Sequence, residues 1–191
     1  MGRFERWVWQ QVANWALVFG LKGVARRVFD RVLAADPDDP RALASVGFRF
    51  AQDGRFREAL AQFGHVARVA PDNVEAHYNR GFLLQKLNDH EAAVDAFARA
   101  IALAPNHDLA LYGQALSLIA LKRLDEAVPP LERNTKLQPM SPYGWYQLAR
   151  VQFDRGKPEK TQVIIDHLGK FEPKIAAQLA RETGLRAPPR P

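Results

Sequence analysis

A chain of 191 residues, 47% hydrophobic and 25% charged, has the composition of a folded protein with a substantial core. It contains no cysteine, which excludes disulfides, thiolate metal sites and a cysteine nucleophile and fits a reducing, cytoplasmic setting. The net charge of +6 is distributed without a basic stripe, which argues against a nucleic-acid partner while leaving acidic partners or anionic surfaces open.

The chain opens on an apolar stretch from Trp7 to Leu21 that Gln10, Gln11 and Asn14 interrupt. No unbroken run there reaches the roughly 18–20 residues that span a bilayer, so the segment reads as mature structure. It is rich in aromatics. Trp9 is expected in the core and Trp15 against the next unit, which leaves Phe4 and Trp7 over. These two either complete an end cap or form a docking edge for a partner, for another copy of the chain, or for a membrane interface, where tryptophan beside Arg3 and Arg6 is at home.

Pro37, Pro71, Pro105, Pro139 and Pro173 then recur every 34 residues, the mark of a repeat architecture. The unit spanning residues 40–73 is the clearest. Leu43, Val46, Gly47 and Phe50 fall on one face of a first helix, Asp53-Gly54 breaks it, and Ala59, Phe63 and Val66 line a second helix that stops before Pro71. The pattern returns as His77, Arg80, Gly81 and Leu84 with Ala93, Phe97 and Ala100, and again as Leu111, Gln114, Ala115 and Leu118 with Ala127 and Leu131. Small residues share two registers, Gly47, Gly81, Ala115 and Ala149 in one and Ala25, Ala59, Ala93 and Ala127 in the other, where helices must approach closely.

Two sites depart from the period. Pro129 and Pro130 lie inside a second helix, where each removes a hydrogen bond at roughly 3 kcal/mol, and predict a late start or a kink. Pro158 falls where a helix begins, a position proline suits. Residues 174–184 predict a closing helix with Ile175 and Leu179 on its inner face, Lys174, Gln178, Arg181 and Glu182 elsewhere, and Gly184 as its stop. Residues 186–191, Pro/Arg-rich, read as a tail.

The sequence of a large residue, Leu, Gly and a tyrosine-like position on the first helix, then Ala, Phe, Ala and Pro on the second, resembles the tetratricopeptide repeat family. The resemblance covers residues 6–173; the first unit carries it with Trp9, Gly20, Ala25, Phe29 and Pro37, the last with Trp145, Leu148, Ala149, Gly156, Ile165 and Pro173. It implies an all-α fold: a right-handed superhelical solenoid of about five hairpins (6–39, 40–73, 74–107, 108–141, 142–173) plus the cap helix 174–184, one domain over residues 1–185.

The resemblance further implies that first helices line a concave groove. Tyr78, Tyr112 and Tyr146 occupy one groove register; Asn79 and Gln147, with Gly113, the next; Asn14, Phe48, Phe82 and Arg150 a third. Aromatic area with amide side chains suits a peptide segment, with Arg41 and Arg150 selecting charge; the tyrosine ladder also packs successive first helices. The family's carboxylate-clamp subclass fits poorly, because Gln10, Ala44 and Tyr112 stand where it places lysine. No glycine-rich phosphate loop, nucleophile elbow or histidine pair at metal-ligand spacing is present, so no enzyme activity, cofactor or metal is expected. The expected function is a cytoplasmic protein-binding adaptor in the assembly of larger complexes; the alternative is a self-associating scaffold or membrane-edge assembly factor using the Trp-rich start.

Overall fold

The 34-residue period becomes helical hairpins because each unit supplies one start and two stops. A computed structural model describes residues 3–187, without the side chains of several residues in the first hairpin. Eleven α-helices make up the described residues: α1 (Arg3–Val18), α2 (Lys22–Ala35), α3 (Pro40–Gln52), α4 (Phe56–Val69), α5 (Val74–Lys86), α6 (His90–Leu103), α7 (Asp108–Ala120), α8 (Leu124–Leu137), α9 (Pro142–Asp154), α10 (Pro158–Leu168) and α11 (Pro173–Thr183). They fall into two compact units, α1 to α5 ending at Asn88 and α6 to α11 beginning at Asp89.

Helix starts are side-chain caps where the sequence allows them. Asp39, 7% exposed, accepts the backbone N–H groups of Arg41 and Ala42 at 3.1 and 2.8 Å; Asn73 and Asp89 each cap their helix through Ala76 and Ala92. Pro158 stands in the first turn of α10, as its fixed φ favours.

The first helices of the repeat units share one ending. The backbone turns left-handed at Gly20, Gly54, Asn88, Lys122 and Gly156, again 34 residues apart, with φ between 61° and 75°. At four of these turns the next N–H reaches back five residues: Leu21 to the Ala16 carbonyl at 2.7 Å, Arg55 to Phe50 at 2.8 Å, Arg123 to Leu118 at 2.9 Å and Lys157 to Gln152 at 2.9 Å. This is the Schellman closure, which glycine adopts without strain and which Asn88 and Lys122 adopt against it.

In the first unit, Ala59, Phe63 and Leu83 pack with Phe50 and Phe56 around them, while Val32, Phe29 and Ala25 hold α2 against α1. In the second, Leu118, Leu131, Leu148, Ile165, Leu168 and Leu179 form one continuous core. Both small-residue registers are buried: Ala59, Ala93, Ala115, Ala127 and Ala149 have no exposed surface. At Gly47 an added Cβ would lie 2.9 Å from the Phe63 ring, so the crossing needs glycine.

Pro129 and Pro130 neither delay nor split their helix. α8 begins at Leu124 and runs unbroken to Leu137, in phase with α4 and α6. Ala127, Val128, Pro130 and Leu131 are buried on either side of the prolines, and Arg123 anchors the start through two bonds of 2.7 Å to Glu126 and one of 2.9 Å to Glu91. Packing thus outweighs the local cost. Trp15 also departs from expectation: it is 61% exposed and stacks on Phe19 at 5.9 Å instead of meeting the next unit. The closing helix ends at Gly184 with φ 69°, and Leu179 and Ala176 are fully buried. Beyond it Arg186 is held, its N–H and carbonyl both bonded by the Gln162 side chain at 3.1 Å.

Candidate functional site

Tyr112 and Tyr146 stand one period apart on the first helices α7 and α9, and the second unit brings both into polar contacts. Tyr112 is half-buried and shares a side-chain hydrogen bond with Gln147. Burial pushes its hydroxyl pKa up more than the Gln147 bond and the nearby Tyr143 alter it, so the phenol stays neutral at physiological pH. Tyr143 is 69% exposed at the first turn of α9. Tyr112 thus meets Gln147 between α7 and α9, with Tyr143 within electrostatic range.

Tyr146 and Arg150, one turn apart on α9, converge on a carboxylate from the closing helix. The Tyr146 hydroxyl donates to Glu182 Oε2 at 2.8 Å, and Arg150 Nη1 donates to the same oxygen at 2.9 Å. Gln178 donates to Glu182 Oε1 at 2.8 Å. These bonds, led by Gln178, hold the Glu182 carboxyl below its ordinary range, while burial raises the Tyr146 hydroxyl and the Tyr146 bond raises Arg150. Arg150, expected to select charge on a ligand, thus already faces an acid of the same chain. Glu182, expected off the inner face of α11, is exposed; it lies seven residues after Ile175 and three after Leu179, at the border of their stripe, from which its carboxylate reaches α9.

In the first unit the expected positions lie on α3 and α5. Arg41 and Phe48 are exposed, Tyr78 and Asn79 half-buried, and Phe82 exposed. Phe48 packs edge-on against Phe63 at 5.0 Å, and Lys86 lies over the Phe82 ring at 5.3 Å. The Asn79 amide donates to the Glu75 carbonyl of its own helix at 2.7 Å, so this donor is engaged locally. Trp7 is 56% exposed. The side chains of Phe4 and Asn14 lie outside those described.

The register of Asn79 and Gln147 does not face outward throughout. Gly113 is buried against α6, where an added Cβ would come within 2.5 Å of the Phe97 ring. Three of the histidines serve packing and caps: His77 is buried with Nε2 2.9 Å from the Pro71 carbonyl, His107 caps α7, and the His167 ring lies 4.4 Å from Trp145; His65 meets the Asp38 carboxylate at 2.6 Å. Among the described residues no group of three or more His, Asp or Glu side chains could hold a metal ion. No described helix is long and apolar enough to cross a membrane.

Residues 74–107 match the family model of the tetratricopeptide repeat. The curated proteins contain no match to the chain. Among solved structures, MamA aligns with a TM-score of 0.75 at 20% identity over 94% of this chain and 93% of its own. MamA from residue 41 onward of Desulfovibrio magneticus RS-1 aligns at 0.75 and 20% over 95% and 98%. YrrB, described as a TPR protein with an unusual peptide-binding site, aligns at 0.78 and 22% over 88% of each chain. At these identities the likeness carries the fold, an all-α array of helical hairpins.

Proposed function

We propose that the chain, one unit of which matches the tetratricopeptide repeat model, is a non-catalytic adaptor of the cytoplasm that binds a peptide segment of a partner protein on the face of its first helices, in the assembly of a larger complex. The observation that carries this reading is the meeting of Tyr112 with Gln147 between α7 and α9, with Tyr143 exposed in the first turn of α9. Aromatic area of this kind gains contact at small entropic cost, and the amide can satisfy a peptide backbone group. Tyr78, Phe48 and Phe82 offer similar chemistry in the first unit. YrrB, with its peptide-binding site, supports the same use of the repeat.

Arg150 enters this reading through its pairing with Glu182. A ligand carboxylate that engages Arg150 must displace Glu182 or share the cation, so acidic peptides compete with the chain's own closing helix. The test compares capture of partners from lysate of the host by the wild type and by Tyr112→Ala with Gln147→Ala, both checked for equal helicity. Loss of a partner from the variant alone is expected. Equal capture by both removes the binding face from α7 and α9.

A further inference from the structure

The first hairpin exposes an apolar groove that the peptide-binding face does not use. Trp7, Gln11, Trp15 and Phe19 recur every four residues, and Val8, Val12 and Ala16 run beside them, so one stripe of α1 and the turn after it forms a wall that Leu21 and Val24 complete. The cavity holds about 580 Å³. Trp15 and Phe19 are 61% and 70% exposed, and Val18 beside the groove 72%. These values far exceed what an end cap needs to close one hairpin.

Charge distinguishes the occupants. Residues 1–35, up to the end of α2, carry six arginine and lysine residues against two acids, a net +4, and Asp36, Asp38 and Asp39 follow beyond the far end of α2 from Arg26 and Arg27. Arg26, Arg27 and Arg31 are exposed on α2, and Asp30 already serves both Arg26 at 3.7 Å and Arg49 at 3.9 Å. A symmetric pairing of two such hairpins would set +4 against +4. An extended peptide laid in the groove would find Gln11 as the one side-chain acceptor of the lining, beside the indole N–H donors of Trp7 and Trp15, too little to satisfy its backbone N–H groups. Acyl chains need no hydrogen bonds, tryptophan favours the headgroup boundary, and anionic headgroups complement the arginines.

We propose that the first hairpin docks on an anionic lipid surface, seating Trp7, Trp15 and Phe19 at the acyl boundary with Arg26 and Arg27 among the headgroups. The hairpin lies on the membrane and does not span it, and the first-helix face of the second unit plays no part in this contact.

Co-sedimentation with phosphatidylcholine vesicles, with and without roughly a third phosphatidylserine, tests it. The protein is expected to sediment with the anionic vesicles, to be released by about 0.5 M salt, and to stay in solution with neutral ones. Trp15→Ser with Phe19→Ser should weaken partitioning about tenfold or more, and Arg26→Gln with Arg27→Gln by a similar factor, at unchanged helicity. Val18→Ser, a single exposed change, gives a second apolar variant should the double one unfold, and is expected to weaken partitioning about threefold. No sedimentation with anionic vesicles overturns the proposal, as does equal binding by the variants. A mass in solution that rises with concentration and falls on Trp15→Ser, without vesicle binding, would instead assign the groove to a second copy.

Discussion

Replacing Gly113 by alanine should destabilise the second unit even though alanine is the better helix former. An added Cβ would stand 2.5, 2.8 and 3.0 Å from three atoms of the Phe97 ring, and that ring has no exposed surface into which to move. Overpacking of a closed site costs about 1–3 kcal/mol, here toward the upper end, and the intrinsic helix preference of alanine offsets about 1 kcal/mol. The net expectation is a loss of about 1–2 kcal/mol, or on the order of 5 °C in Tm for a chain of this size. Gly64 is the matched control, because it lies inside α4 with nothing within 4 Å of its added Cβ. Gly64→Ala should stabilise by about 0.5–1 kcal/mol. Urea unfolding followed by circular dichroism at 222 nm measures both. Opposite signs are expected; stabilisation by both substitutions would refute the claim that ring contact, and not tolerance of glycine, determines residue 113.

Lys122→Gly should raise stability by about 1 kcal/mol in the same assay, since Lys122 holds φ 61° where a side chain is strained and three of the four equivalent turns use glycine. Pro129→Ala, at an exposed position inside α8, restores a backbone donor and should stabilise by about 1–2 kcal/mol after the greater freedom of the unfolded chain is counted. Asp39→Ala removes the acceptor for two N–H groups at the start of α3 and should cost about 1 kcal/mol. Glu182 should titrate below its ordinary value of 4.5, as followed by NMR, and Arg150→Gln should move it upward. Since the folded value is the lower one, its contribution to holding α11 is complete above about 4.5 and fades as the pH falls through the folded value; hydrogen exchange in α11 that does not quicken there would count against the bridge.

The hairpin repeat was legible in the sequence because it is written locally and many times over. Prolines every 34 residues, small residues in two registers and apolar side chains at helical spacing each limit the backbone within a few residues, and repetition removes the ambiguity of a single copy. The same logic located Pro158 at a helix start and Gly184 at a helix end. Tertiary structure decided what local rules leave open. It carried α8 through Pro129 and Pro130, because the burial of Ala127, Pro130 and Leu131 exceeds the loss of two donors. It turned Gly113 inward against Phe97, left Trp15 in the open groove, and brought Glu182 to Tyr146 and Arg150 from 36 and 32 residues away along the chain. Such contacts depend on how one helix is rotated against another, a quantity set by the sum of packing over the whole hairpin and by no single spacing.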